Sequence, residues 1–396
     1  MPPDPVRVLL AWEGGAGRGH IVTLKTIAEA LGDGFVFDAA LCRMDYAGEI
    51  APLCERVFPS AYLGFDDRRR RASGNPGTAS WADFLGDLGF ASPQRLIGQI
   101  EWWLAALKAR QSRLMVGDFS PIAMLAARIA GIPMAAVGTG YSTPPPGMER
   151  FPTLLPEHAR RIYDETELVA AVNAALAHFG REPIAVFSDI YAGVTLMPRT
   201  IAALDPYAPW RCQPVLPPLN EKLPRRRERG DEVFVYFSTR ERDDPVLMDV
   251  LAGLDLPTRL FMPNIDPDLA ARLQSSGIML ETRPVPVEQI ASRSRIMVHA
   301  GQHGSLCMAL GMGLPQVAFP QHLEHLYHAR RAQELGTVSL FERHERDGEA
   351  IRQAVHAAYK DTTRADRAYA LSGALASELF GDISALVRAR LLPLLD

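Results

Sequence analysis

Four groups of residues in this sequence have types and spacings that could carry chemistry. The first is Gly14-Gly15-Ala16-Gly17-Arg18-Gly19-His20. Glycines in such a loop let backbone N–H groups approach a ligand, and an imidazole closing the loop could act as a general base. The loop does not follow the G-x-G-x-x-G dinucleotide pattern and has no P-loop lysine. A tight turn with a histidine near a helix cap explains the same residues without chemistry. The second group centres on Asp118, in Val116-Gly117-Asp118-Phe119-Ser120-Pro121. A carboxylate there could hold one nitrogen of the His20 ring and stabilise the imidazolium formed when the other nitrogen takes a proton. Its competing role is to cap a helix begun at Pro121, a job open to Asp118 or Ser120.

The third group is His299-Ala300-Gly301-Gln302-His303-Gly304-Ser305, followed by Ala309-Leu310-Gly311 and by Gly313 and Pro315. An apolar strand ends at Val298 and a helix is expected to begin near Ser305. Free N–H groups and a hydroxyl at a helix N-terminus make a phosphate site, toward which His299 could add a donor or, if protonated, a positive charge. The fourth is Pro320-Gln321-His322-Leu323-Glu324-His325-Leu326-Tyr327-His328. Glu324 could accept bonds from paired sugar hydroxyls and His325 could add a polar contact. Five of the ten histidines lie between 299 and 328. Metal binding by His322, His325 and His328 is the rival reading, but steps of three drift by about 60° around a helix, and the H-E-x-x-H pattern is absent.

The elements that must position these residues alternate between strand and helix. Val6–Ala11, Phe35–Leu41, Leu114–Gly117 and Met134–Val137 read as buried strands, with helices over His20–Leu31, 93–113 and Pro121–Ala130. Such alternation signals an α/β domain with a parallel sheet. Segment 205–231 carries six prolines and then a charged run, the composition of a linker. Beyond it the alternation resumes, with strands at Val233–Ser238, Thr258–Met262, Ile278–Leu280, Ile296–Val298 and Gln316–Phe319 and a helical stretch over 364–392. Residues 64–92 read as functional loops.

Composition narrows the partners. Of the 396 residues, 42 are Lys or Arg and 46 Asp or Glu, a net charge of −4. Residues 1–220 and 221–396 each carry −2, so neither half has the basic surface of a nucleic-acid-binding domain. The runs Arg68–Arg71 and Arg225–Arg229 read as solvated loops, with peripheral contact to an anionic membrane as the most they would support. Cys42, Cys54, Cys212 and Cys307 are scattered, which fits a reducing cytoplasm. No run of about 18 apolar residues predicts a membrane span.

In this order, the elements resemble the UDP-glycosyltransferase family. Gly17-Arg18-Gly19-His20 is similar to the family's N-terminal loop, and Asp118 stands where the family has the histidine's aspartate. His299 to Ser305, Ala309-Leu310, Pro315, Pro320, Glu324 and Ala329 resemble its donor signature, and Arg283-Pro284-Val285-Pro286 the segment that reads the nucleotide base. The resemblance implies the α/β GT-B fold: two Rossmann-like domains facing across a cleft, with a C-terminal helix returning to the first. In this chain the expected spans are 1–218 for the acceptor domain, 219–231 for the linker, 232–372 for the donor domain and 373–396 for the returning helix. Gln302-His303 adds one residue to the usual glycine turn, Met308 stands where many members have a ribose-binding glutamate, and Ser238-Thr239-Arg240 replaces a more glycine-rich loop.

The activity so implied is inverting sugar transfer from a UDP- or TDP-sugar to a hydroxyl. His20 is the base and Asp118 its partner. Gly17, Ser238, Thr239, Val285, His299, Gly301, Gly304, Ser305, Glu324 and His325 are the expected donor residues. No cofactor or metal is implied, the nucleotide-sugar being a co-substrate. Trp81, Phe84 and Tyr141 suggest an aromatic acceptor pocket for a small hydrophobic or lipid-like molecule. The alternatives are a nucleotide-sugar epimerase or hydrolase of the same fold, or a protein that binds the nucleotide-sugar without catalysis.

Overall fold

The computed structural model of the chain describes residues 5–15, 17–61, 63–73, 78–158, 160–225, 227–228, 230–238 and 241–396. Two compact units emerge: Met1–Leu216 together with Asp382–Asp396, and Pro217–Gly381.

The first unit is built on six strands: β1 (Val6–Trp12), β2 (Phe35–Leu41), β3 (Cys54–Pro59), β4 (Leu114–Asp118), β5 (Met134–Gly138) and β6 (Thr195–Pro198). They form one sheet in the order β3-β2-β1-β4-β5-β6, parallel throughout. The central strands β4 and β5 are buried along their whole length, because crossover helices cover both faces of a parallel sheet. The second unit repeats the plan with β7 (Glu232–Tyr236), β8 (Thr258–Phe261), β9 (Met279–Glu281), β10 (Ser294–His299), β11 (Gln316–Ala318) and β12 (Val338–Leu340). Their order is β12-β11-β10-β7-β8-β9. Alternate residues of β7 feed two cores: Val233 and Val235 face one, with Leu260, Val298 and Ile351, and Phe234 faces the other, with Met297 and Ala309.

Strand order reverses between β1 and β4 in one unit and between β7 and β10 in the other. At such a switch point the loops leaving the carboxyl ends diverge and open a crevice, the usual ligand position in α/β sheets. His20 follows β1 and Asp118 ends β4; Ser238 follows β7 and His299 ends β10.

Some elements differ from the sequence reading. The stretch expected as one helix over 364–392 is three: Thr362–Ala374, Ala376–Leu379 and Ile383–Leu391. The break lies before Asp382, whose side chain accepts from Ala385 N at 2.9 Å and starts a new helix. That last helix belongs to the first unit, where Arg388 donates to Leu31 O at 2.7 Å and Arg390 to Leu196 O at 2.9 Å. The helix expected to return from residue 373 therefore returns from 382. Residues 217–231 belong to the second unit, with Leu219 N bonded to Leu379 O at 3.1 Å. Within 64–92 the chain forms helices Arg68–Ser73 and Trp81–Leu85 and a π-helical turn over Gly86–Phe90. No helix among the described residues is long and apolar enough to cross a membrane.

Candidate active site

At the first switch point, His20 Nδ1 lies 3.0 Å from Asp118 Oδ1. The two residues are 98 apart in sequence and meet because β1 and β4 are adjacent, with Trp12 opposite Asp118 in the register. The Asp118 side chain is 3 % exposed and that of His20 22 %, so the carboxylate is sheltered while the imidazole reaches solvent. The ring is held on two sides: Trp12 stacks at 5.2 Å and Phe119 meets it edge-on at 6.0 Å.

Two glycines make room for this arrangement. A Cβ on Gly15, which has φ +88°, would stand 2.3 Å from His20 Nε2, and one on Gly14 would stand 2.0 Å from the Phe119 ring. Phe119 itself adopts φ +50°, a conformation uncommon outside glycine and found at functional sites.

The helix-capping alternative for Asp118 does not describe this structure. The helix Pro121–Ala130 receives no side-chain cap from Ser120. Its first free N–H groups, those of Ile122 and Ala123, donate instead to the two oxygens of Glu13, each at 2.9 Å. Glu13 is buried, and burial raises its pKa to about 8 against the pull of those donors.

The aromatic residues beside the dyad form a cluster. Trp81 stacks on Phe84 at 5.5 Å and meets Phe119 and Tyr141 edge-on at 5.2 and 5.0 Å. Trp81 is fully buried, and its indole donates to Tyr191 Oη at 2.8 Å. Tyr141 is buried as well. These two, expected to line an acceptor pocket, are enclosed by their own partners and present little surface of their own. Phe84 is half-buried and packs at 6.1 Å on Phe65, which is exposed. The apolar surface on offer is thus Phe84 with Phe65. The neighbouring run Arg68–Arg71 is neutralised within the fold: Arg68 pairs with Asp66, Arg69 with Glu167, Arg70 with Asp87 and Arg71 with Asp67.

In the second unit the glycine turn closes β10 onto the helix His303–Met312, which begins two residues before the expected Ser305. Gly301 has φ +79°, and a Cβ there would stand 3.2 Å from His325 O. Gln302, the added residue, donates from Nε2 to Ser238 Oγ at 3.1 Å, tying the turn to the chain leaving β7. Gly304 is exposed at the open helix end, with nothing near its missing side chain, and Ser305 lies buried beside it.

His299 corrects the sequence reading. It is fully buried; its Nδ1 accepts from Gly301 N–H at 3.0 Å, so its proton sits on Nε2, which bonds Gln316 Oε1 at 2.8 Å. Burial lowers its pKa to about 4. With both nitrogens engaged inside and no charge near neutral pH, it shapes the turn and cannot present a donor or a cation to a diphosphate. His325 is also buried, with its pKa held well below the ordinary range by burial and then by the neighbouring histidines. Exposed His322 covers it at a ring separation of 3.8 Å, so the imidazole facing solvent there is His322. Glu324 is half-buried in the first turn of the helix Leu323–Glu334. Val285 packs against the second core. Gly17 is half-buried, with its nearest neighbour 3.9 Å from a built Cβ. Thr239 lies outside the described residues. Among the described residues, no three His, Cys, Asp or Glu side chains are arranged to hold a metal ion.

Sequence reasoning gave no role to Glu13 or Phe65, and it met Gln302 only as part of the glycine turn and His322 only as a rival metal ligand. Glu13 had a readable signal, a carboxylate at the end of the first strand, but its partners lie 109 and 110 residues away. For Phe65 no signal existed beyond its aromatic type.

Both sheets have the Rossmann strand order, and two such α/β units are the architecture of the GT-B fold. Residues 268–380 match the family model described as erythromycin biosynthesis protein CIII-like, C-terminal domain. Among solved structures, CalG4, the calicheamicin glycosyltransferase, matches with a TM-score of 0.68 at 15 % identity, over 98 % of this chain and 100 % of that one. The spinosyn rhamnosyltransferase SpnG complexed with spinosyn aglycone matches at 0.67 and 16 %, over 97 % and 99 %. The glycosyltransferase VinC in complex with DTDP matches at 0.64 and 16 %, over 97 % and 100 %. No curated protein matches the sequence. The fold of the chain is therefore that of these structures, and the stretch of its second unit over 268–380 matches the EryCIII-like domain.

Proposed function

We propose that the protein transfers a sugar, with inversion, from a nucleoside diphosphate-sugar to a hydroxyl of a small hydrophobic acceptor. Thymidine is favoured as the nucleoside over uridine, because VinC and SpnG are crystallised with thymidine diphosphate. The observation that carries the reading is the 3.0 Å pair of His20 Nδ1 and Asp118 Oδ1 at a switch point. A protein that only binds nucleotide-sugar has no use for a carboxylate-oriented imidazole.

In the proposed reaction Nδ1–H donates to Asp118, so Nε2 takes the acceptor hydroxyl's proton. The acceptor oxygen attacks the anomeric carbon as the bond to the diphosphate breaks. Leaving-group charge develops at the N-terminus of the helix His303–Met312, where the exposed Gly304 lets backbone N–H groups approach. Donors so placed act most strongly on the transition state. The acid–base and electrostatic roles are filled by these groups, and the reaction is written without a metal. Phe84 and Phe65 supply the apolar surface for the acceptor, as a spinosyn aglycone complex of SpnG would suggest.

The test is His20→Ala, assayed for thymidine diphosphate release from TDP-glucose across a panel of macrolide and aromatic alcohols. Turnover is expected to fall by about 100-fold or more with TDP affinity unchanged. Near-normal turnover in the variant would rule out His20 as the base. Consumption of donor without any acceptor would indicate an epimerase or hydrolase.

A further inference from the structure

For His20 and Asp118 to meet, two loops on different strands must be held at a fixed offset. His20 leaves β1 through the glycine loop, and Asp118 leads from β4 through Phe119 and Ser120 into the helix Pro121–Ala130. Glu13 sits between them. Its backbone N–H donates to Phe119 O at 3.3 Å, and its two carboxyl oxygens accept from Ile122 N and Ala123 N at 2.9 Å each. Ser120 Oγ returns a bond to Ala11 O at 3.2 Å. Four hydrogen bonds thus join the two loops, and three of them use Glu13.

We propose that Glu13 is the positioning residue of the dyad, capping the Asp118-side helix from the His20-side loop and so leaving Asp118 to the imidazole.

The argument is one of competition. A helix N-terminus leaves N–H groups that need an acceptor, and the residues just before the helix ordinarily supply it. Asp118 stands three residues before Pro121 and is the nearest carboxylate in that loop. If nothing else capped the helix, turning toward Ile122 and Ala123 would satisfy Asp118 and orphan the imidazole. Glu13 removes the incentive by filling both N–H groups with a side chain fixed to the neighbouring strand. Its burial makes the arrangement stiff, since an unsatisfied polar group there would cost about 1–3 kcal/mol. Gly14, next in sequence, has no side chain because the Phe119 ring occupies that space, so the same loop is shaped around the contact.

The proposal uses the base role assigned to His20 only for its kinetic readout; the structural readout is independent of turnover. The experiment follows the far-downfield imidazole N–H proton of the His20–Asp118 pair by NMR. The signal is assigned by its loss in His20→Ala and Asp118→Asn. Glu13→Gln is nearly isosteric but replaces one acceptor oxygen with an N–H₂ that faces a donor. It should lose or exchange-broaden the resonance and lower kcat about 10- to 100-fold, with TDP affinity and thermal stability of the second unit unchanged. Should that variant not fold, Glu13→Asp, too short to reach both N–H groups, is read in the same way. A folded variant that keeps the resonance overturns the proposal, whatever its turnover. So does failure of both variants to fold, which would make Glu13 a structural residue alone. Absence of transferase activity in the wild-type protein would overturn the proposed function and leave this test intact.

Discussion

Replacing Asp118 by Asn isolates the charge in the dyad while nearly preserving shape. In the wild-type structure the carboxylate is 3 % exposed and 3.0 Å from Nδ1. At an effective dielectric of about 20, a unit charge pair at that distance attracts by roughly 5 kcal/mol, which bounds what the carboxylate can give the imidazolium. The amide keeps a neutral hydrogen bond, so the net loss should be about 3–5 kcal/mol, or roughly 10²–10⁴ in kcat. An amide can also turn its N–H₂ toward the ring and select the tautomer with the proton on Nε2, which cannot act as a base. The assay is thymidine diphosphate release under saturating donor, with TDP affinity measured by calorimetry as the control. Affinity should not change, because the nucleotide is assigned to the other unit. The double variant His20→Ala with Asp118→Asn should be no slower than His20→Ala alone, since residues acting as a unit are not additive. Asp118→Asn turnover within about fivefold of wild type, or a double variant slower by the full single-variant factor, would refute the reasoning.

Other expectations follow from the same geometry. Gly15→Ala forces a residue with φ +88° to carry a Cβ 2.3 Å from His20 Nε2; kcat should fall at least tenfold and the strained backbone cost about 1–3 kcal/mol, measured by kinetics and chemical denaturation. His299→Ala leaves Gly301 N–H and Gln316 unpaired in the core and should cost about 2–4 kcal/mol of second-unit stability. Because the imidazole is neutral, TDP binding to the wild type should show no titration attributable to His299 between pH 5 and 7, by calorimetry over that range. The two units should respond oppositely to pH. Unfolded histidine titrates near 6.5 and folded His299 near 4, so in that window the unfolded chain binds more protons and the second unit loses stability as pH falls. His299 alone accounts for about 3 kcal/mol, and His325 and His328, also depressed by burial, add to it. In the first unit, buried Glu13 is raised from 4.5 to about 8 and Asp87 from 3.8 to about 6. The folded unit then binds the extra protons, so its stability declines as pH rises from about 4.5 to 8. Hydrogen exchange resolved by unit, corrected for intrinsic rates, checks both slopes; parallel slopes would contradict them.

Buried strands were the most legible part of the sequence. Phe35–Leu41 and the helix Pro121–Ala130 appear with the expected bounds, because continuous apolar runs and a proline start leave little choice. The strands that periodicity missed, β3, β6 and β12, all lie at sheet edges. Edge strands are short and half-solvated, and β3 carries Glu55, Arg56 and Pro59, so no apolar run announces them. The dyad was readable because strand ends converge at a switch point. The role of His299 was not, because sequence shows an imidazole at a strand end but not that Gln316 and the Gly301 N–H close around it. Trp81 and Tyr141 misled for a related reason: an aromatic near a site can line it or stand behind it, and only packing decides.

The first unit is discontinuous: residues up to Leu216 need Asp382–Asp396 to finish it, whereas the second is one uninterrupted stretch. Synthesis proceeds from the N-terminus at about 5–20 residues per second, so the portion made first is the one that must wait. Until the final helix emerges, the surface that will receive Ile383, Val387 and Leu391 stays uncovered, and the carbonyl of Leu31 lacks the Arg388 guanidinium. The second unit can complete its own sheet in that interval. Order of maturation therefore runs opposite to order of sequence, and the half bearing His20 and Asp118 is the last to be sealed.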